Sequence, residues 1–567
     1  TMPCARRRPT CHRCQIGPAN GSQIFRGSVS CFEVVKRVDG HVKRRSSDGI
    51  KMKLSVGVLP CQLLRGSLTV IRAPMPLLLQ QTIPTSMLAV LFVLGSMVTT
   101  TAADRPPNLL IVVADDLGYG DLGCYGHPTI QTPNLDHFAA EGLRLTNCYS
   151  AHPNCSPSRA ALLTGRTPFR LGIYNWIPMF SPMHLRQSEL TIASLLRDAG
   201  YATCHVGKWH LNGDFNQKTQ PQPSDHGFEH WFSTQNNALP NHRNPDNFVR
   251  NGQNVGRLTG YSAQLVAQEF SNWLKNDRAP EKPFFAFVCF HEPHEPIATA
   301  PAYSKLYPSD DPSLSAHHGN ITQMDAGFGS LLKSLEETGV REETFVFFTS
   351  DNGPAITPMH PHGSAGPLRD KKGSIYEGGI RVPGIVQWPG HVRGGQTSNV
   401  PVSGVVLLPT LCEIASVKVP DDRVIDGSSF LPMLDGRELT RQRPLYWQFN
   451  RAKSDVKVAL RDGPWKVVAG LTPPGPQSGG GIPEDEIERI KSAELADFAL
   501  YQLELEIGES TDRSSEHPDR FAELKKRMQQ VYQEVRSAAP TWPAWQWPRY
   551  ESQRIVWPDY WTNRPRQ

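Results

Sequence analysis

Leu109-Leu110-Ile111-Val112-Val113-Ala114-Asp115-Asp116 is the stretch on which the fold turns. It is six apolar residues, half of them β-branched, ending in two adjacent acids. A short apolar run without polar alternation predicts a strand buried on both faces, which is a feature of parallel sheets. Similar runs recur at Phe284–Phe290, Thr344–Thr349 and Ile380–Trp388. Between them, Thr191–Ala199, Ser262–Lys275 and Ile321–Glu337 carry helical periodicity. Strands alternating with helices predict an α/β fold: a large mixed, mostly parallel sheet sandwiched by helices. Chemistry in such sheets gathers beyond the C-terminal strand ends. Two of those ends carry acids, Asp115-Asp116 and, after VFFTS, Asp351-Asn352.

Past residue 435 the texture changes. Pro444–Asn450, Val456–Val468 and Phe498–Glu506 read as short strands, and His517–Ala538 as a charged helix. This predicts a smaller C-terminal domain of antiparallel sheet plus helix, spanning 436–567 beside a main domain of 104–435. Five of the twelve Trp (Trp542, Trp545, Trp547, Trp557 and Trp561) crowd the tail. Aromatic rings can stack on sugars, but the interleaved Pro favours a tail strapped over the domain surface.

At 567 residues, with 39% hydrophobic and 20% charged residues, the chain has the make-up of a globular protein of two to four domains. The net charge of +5 is deceptive. Residues 1–74 hold 14 Lys/Arg against 3 Asp/Glu, and residues 75–103 hold no charge. The remainder carries 45 bases against 51 acids, so it has no nucleic-acid footprint. The apolar run Met87–Val98 is too short to span a bilayer and is followed by small residues. We read 75–103 as a secretory signal, and 1–74 as a disordered basic leader or a mis-assigned start. Export to a periplasmic, extracellular or lysosome-like compartment follows, with no stable membrane span. Cys11 and Cys14 have the spacing of half a zinc knuckle, but no second pair follows at ligand spacing, so no metal role is assigned to them.

The densest motif is His152-Pro-Asn-Cys155-Ser-Pro157-Ser-Arg159-Ala-Ala-Leu-Leu-Thr-Gly-Arg166. A Cys in a polar turn, at a helix start and with Arg one turn on, occupies a place that favours anions. Here the chain closely resembles the sulfatase family, whose signature is Cys-x-Pro-x-Arg followed by Leu-Thr-Gly-Arg. The likeness extends over roughly 105–540 and is strongest to arylsulfatase and N-acetylgalactosamine-6-sulfatase members. It implies that Cys155 is oxidised to formylglycine by a formylglycine-generating enzyme.

Two acids at a strand end are, taken alone, more often a solvated turn. Together, Asp115, Asp116, Asp351 and Asn352 make an oxygen set suited to a hard cation. The resemblance implies that they hold one calcium ion, with matured Cys155 completing the shell. By the same likeness Gly207-Lys208-Trp209-His210-Leu211 puts Lys208 and His210 near formylglycine and sulfate. His291-Glu-Pro-His294-Glu-Pro makes His294 the leaving-group histidine. Leu368-Arg-Asp-Lys371-Lys372-Gly makes Lys372 a sulfate ligand, with Lys371 as its neighbouring alternative. Arg159 orients the formylglycine. Asn237 and His362 are the candidate substrate-facing residues.

The chemistry this implies is hydrolysis of a sulfate ester, on a sulfated carbohydrate or another sulfate ester. It needs positive charge around the sulfate oxygens, an in-line nucleophile and a proton for the leaving oxygen. A thiol–sulfate intermediate has no easy exit, whereas a hydrated aldehyde expels sulfate by collapsing back. The alternatives are a phosphodiesterase or phosphonate monoester hydrolase of the same superfamily, and a non-catalytic sulfoglycan-binding homologue.

Overall fold

A computed structural model describes residues 105–475 and 479–563. The leader and signal readings at 1–103 lie outside the described residues. The strand predicted at Leu109–Ala114 spans β1 (Asn108–Asp115), and every residue of it is buried. Its side chains divide by parity. Leu109, Ile111 and Val113 enter one apolar core, while Leu110, Val112 and Ala114 enter another on the opposite face. That is the two-sided burial that a continuous apolar strand demands.

The main sheet has ten strands. In chain order these are β1, β2 (Leu143–Leu145), β4 (Ala202–Lys208), β5 (His230–Thr234), β6 (Val249–Arg250), β7 (Gln253–Asn254), β8 (Phe284–Pro293), β9 (Thr344–Ser350), β10 (Gly384–Gln387) and β11 (Gln396–Ser398). A two-stranded parallel pair is formed by β3 (Cys148–Tyr149) and β12 (Val402–Ser403). The spatial order β11-β2-β10-β9-β1-β8-β4-β5-β6-β7 places β1 near the centre. The five strands from β9 to β5 are parallel, and antiparallel strands flank them on either side.

One face of the sheet is covered by the helices Pro133–Ala140, Ser262–Asn272 and Pro312–Glu337, through residues such as Phe138, Phe270 and Phe328. The other face is covered by Cys155–Thr164, Ile192–Asp198 and Leu407–Ile414, through Leu163, Leu196 and Leu411.

The second sheet is antiparallel: β13 (Leu445–Gln448), β14 (Val458–Asp462), β15 (Trp465–Thr472) and β16 (Glu494–Gln502). The single strand expected over Val456–Val468 is instead a hairpin, because Gly463-Pro464 turns the chain between β14 and β15. Leu524, Met528 and Tyr532 of helix Pro518–Ala538 cover one face of this sheet. The other face, through Trp447, Phe449 and Val468, packs on Tyr149, Ile375 and Ile380 beside the main sheet. Among the described residues no helix is long and apolar enough to cross a membrane.

Candidate active site

Four neighbouring parallel strands deliver side chains to one edge of the sheet. Asp115 ends β1, Lys208 ends β4, Asp351 follows β9 and His294 follows β8. The register of β1 against β8 shifts between Val113 and Asp115, so the end of β1 departs from regular pairing. Asp116 then takes a left-handed conformation, φ 67°, and turns the chain away.

On β4, Gly207 has φ 99°, and a Cβ there would stand 1.8 Å from the Cys289 carbonyl oxygen. Only glycine lets β4 pass that close to β8 just before Lys208. Cys155 is the first residue of helix Cys155–Thr164, with Asn154 preceding it in extended conformation. Arg159 lies four residues on and is wholly buried.

The charges interlock. Lys208 Nζ meets Asp115 Oδ2 at 2.6 Å. Arg159 holds Asp351 Oδ2 through Nε at 2.9 Å and Nη2 at 2.8 Å, and donates from Nη1 to the Lys208 carbonyl at 3.1 Å. Lys372 Nζ reaches Asp116 Oδ1 at 2.6 Å and Cys155 Sγ at 3.5 Å. Asn352 Nδ2 donates to Asp116 Oδ1 at 2.7 Å. His294 Nε2 stands 3.6 Å from Asp116 Oδ2, and its Nδ1 is hydrogen-bonded to the Glu295 carbonyl. The adjacent Lys371 turns away and donates to the Ile356 carbonyl at 2.9 Å.

These contacts set the protonation states. Burial pushes the Cys155 thiol up to about 12 against the pull of Lys208 and Lys372, so it stays protonated at neutral pH. Burial opposes the charge on Asp116, but Lys372, His294 and Lys208 together hold it well below the usual carboxylate range. Burial, reinforced by Asp115 and offset by Arg159, lifts Asp351 to about 6. Burial also lowers His294 to about 4, with Asp116 opposing.

Ligand atoms of Asp115, Asp116, Cys155 and His294 all lie within 4.8 Å of one another. Asp115 Oδ1 and Asn352 Oδ1 are buried without a hydrogen-bond partner. Oxygen donors with unmet valence beside a second carboxylate suit a hard divalent cation. Asp351 differs from the expected set in its present contacts. Its Oδ2 is taken by Arg159, and its Oδ1 accepts the Asp116 N–H at 3.2 Å.

Cys155, His210, Asn237, His294 and Lys372 line a cavity of about 460 Å³. His210, at φ 58°, has Nε2 hydrogen-bonded to the Ile177 carbonyl at 3.1 Å and Nδ1 unpartnered. Asn237 donates its backbone N–H to Glu551 Oε1 at 3.2 Å. His362 is not brought to the cavity; it pairs with Asp311 at 2.9 Å and Ser313 at 3.0 Å. Sequence reasoning missed Trp176, Arg451, Lys453 and Glu551, and favoured a surface strap for the tail that carries Trp547 and Trp557; all six line the cavity. The one available signal was the tail's density of Trp.

A doubly covered α/β sheet that collects lysines, carboxylates and a helix-borne cysteine at its C-terminal strand ends defines a hydrolase for anionic esters. The sulfatase family model matches residues 107–417, and the model for the C-terminal region of N-sulphoglucosamine sulphohydrolase matches 368–468. The chain belongs to the sulfatase family, the sulfuric ester hydrolases. It is 38% identical to N-acetylgalactosamine-6-sulfatase of Rattus norvegicus over 387 residues, 64% of this chain and 71% of that one. It is 35% identical to arylsulfatase A of Homo sapiens over 391 residues, 65% and 75% of the respective chains. Among solved structures it resembles Ps i-CgsB in complex with k-i-k-neocarrahexaose: TM-score 0.66 and 26% identity, over 80% of this chain and 95% of that one.

Proposed function

We propose that the protein releases sulfate from sulfated carbohydrates at Cys155, matured to formylglycine, beside one bound calcium ion. The observation that carries this reading is the convergence of Lys372 Nζ, 3.5 Å from Cys155 Sγ, with Asp115 and Asp116 at the end of one strand. The names of the relatives support sulfate ester over phosphate diester, and an amino-sugar sulfate as the first substrate to try.

Asp115, Asp116, Asp351 and Asn352 would hold the calcium, and a divalent ion there would draw charge from the sulfate oxygens. Formylglycine supplies, when hydrated, an oxygen nucleophile and a built-in route for releasing sulfate. The unmodified thiol, protonated up to about 12, offers neither.

The rest of the chemistry falls to the chain's own side chains. Lys372 presents its ammonium group to the sulfate, held ready by Asp116, while Lys208, fully buried and not among the residues lining the cavity, adds its positive charge through its pairing with Asp115. Arg159 fixes the Asp351 carboxylate and the Lys208 backbone, so this framework does not reorganise during turnover. His294 has its tautomer set by the Glu295 carbonyl, which accepts from Nδ1 and leaves Nε2 for proton transfer. An anionic ester bound beside Nε2 raises its affinity for a proton, which it passes to the leaving oxygen.

The test is the mass of the peptide spanning residues 154–159, together with sulfate release. Formylglycine makes that peptide about 18 Da lighter than its cysteine form. An unmodified cysteine in protein that turns over sulfate esters would remove formylglycine from this account. Release that is indifferent to chelator and to added calcium would remove the ion.

A further inference from the structure

The last described segment runs around the rim of the cavity. Trp542 Nε1 donates to the Gly172 carbonyl at 2.7 Å, and Trp545 exchanges two backbone hydrogen bonds with Ile482, each 2.8 Å. Trp547 meets Trp176 edge to face, with ring centres 5.1 Å apart. Glu551, only 8% exposed, accepts from Asn236 Nδ2 at 2.9 Å and from the Asn237 N–H. Val556 N–H donates to the Pro240 carbonyl at 2.8 Å, and Tyr560 OH lies 2.7 Å from His360 Nε2. The tail thus fastens to four separate segments, those carrying Gly172 to Trp176, Asn236 to Pro240, His360, and Ile482. It lies wholly beyond residue 468, where the matched family regions end.

We propose that the tail segment 547–557 is the substrate-selecting wall of the active site and holds the sugar ring that bears the sulfate ester. Two features of that wall point to a sugar. Trp547 and Trp557, with Trp176 packed against Trp547, give the cavity half-buried aromatic surface of the kind that packs on the C–H faces of a sugar ring. Beside them sits a polar cluster of one carboxylate and two amides. Asn236 and Asn237 are 6% and 5% exposed, line the cavity, and leave their side-chain carbonyl oxygens without a partner in the protein. Unmet buried acceptors of this kind call for hydroxyl or N–H donors, delivered by the ligand or by a water it retains. Apolar faces beside convergent hydrogen-bond acceptors match a hydroxylated ring better than a flat aryl group. Glu551 ties the two halves together, since it belongs to the tail, orients the Asn236 amide and accepts the Asn237 backbone N–H.

The inference rests on the sulfate-ester reading above, and the experiment separates the two. Wild type, Trp547→Ala, Trp547→Phe and Glu551→Gln are compared as full chains. The substrates are 4-nitrophenyl sulfate and the best of a panel of hexose and N-acetylhexosamine monosulfates. We expect the sugar-to-aryl ratio of kcat/KM to fall roughly tenfold or more in Trp547→Ala and Glu551→Gln, mainly through KM for the sugar, and to hold within about threefold in Trp547→Phe. An unchanged ratio overturns the inference, whether or not both activities decline together, because a purely structural strap would lower the two alike. Wild type that cleaves the aryl sulfate but no sugar of the panel overturns it while leaving the sulfatase chemistry standing. Wild type that cleaves neither substrate sinks both readings.

Discussion

At the scale of the residue, the site is a set of buried charges, each costly alone. Arg159, Lys208, Asp115 and Asp351 are all fully buried, and each is tolerable only because the others are present. On the proposed roles, Cys155→Ala and Cys155→Ser lose sulfate release entirely while keeping the melting temperature of the parent; assays of purified variants check this. His294→Ala is expected to slow turnover by roughly a hundredfold or more on alkyl and sugar sulfates, where the leaving oxygen needs a proton. On 4-nitrophenyl sulfate, whose leaving group is a weak base, the loss is smaller. Equal losses on both substrates would remove His294 from the proton-donating role.

At the scale of the element, β4 is one of several strands that sequence reading missed, along with β2, β5, β6, β7 and β11 of the main sheet, and it is the one that carries a site residue. Ala202–Lys208 contains His, Gly and Lys, which break the apolar run, and its burial comes from lying between β5 and β8. Gly207→Ala would drive a methyl group into the Cys289 carbonyl and is expected to leave little soluble protein; normal yield and activity would contradict the close approach. His205, on the same strand, is packed among Trp209, Phe228 and Phe287, with Nδ1 2.7 Å from Ser233 Oγ. Burial first, and then Arg159, lowers it from 6.5 to about 3. The folded state therefore keeps it neutral while the unfolded chain takes up a proton below 6.5. Its contribution to stability is complete above pH 6.5 and declines as pH falls toward 3, by up to about 1.4 kcal/mol per pH unit. His205→Phe should flatten the acid side of the melting-temperature profile by about one proton, as followed by calorimetry.

At the scale of the whole molecule, the small sheet braces the site. Lys466, buried on β15, binds Glu377 at 2.9 Å and Glu509 at 2.8 Å, and donates to the Ile375 carbonyl at 3.0 Å. Glu377 follows Lys372 by five residues, so this pairing pins the segment that carries the lysine. Lys466→Met takes the lysine from both buried carboxylates, leaving Glu509 its Glu377 N–H and Glu377 its Tyr149 and Arg381 contacts, and denaturant unfolding should show a loss of about 3–5 kcal/mol. If the carboxylate edge holds calcium as proposed, adding the ion at a hundred times its Kd raises stability by about 2.7 kcal/mol, and chelator reverses it. A melting temperature indifferent to calcium would count against that site.

Much of this could be read from the chain alone. Leu109–Asp116 announced a strand buried on both faces and ending in carboxylates, because the period of two and the absence of polar alternation are local properties. The Cys155 motif announced the family, because its spacing is tied to one turn of helix. Other features are set by distance in space rather than in sequence. Lys372 rather than Lys371 meets Cys155, since the backbone on either side turns Lys371 toward Ile356. His362 leaves the cavity for Asp311, a partner 51 residues away. The Trp-rich tail becomes a wall of the cavity only when Glu551 finds Asn236, 315 residues earlier. Pattern specifies which residues are buried and which element they form; which of them meet is decided when the sheets close and long-range partners satisfy their charges and hydrogen bonds.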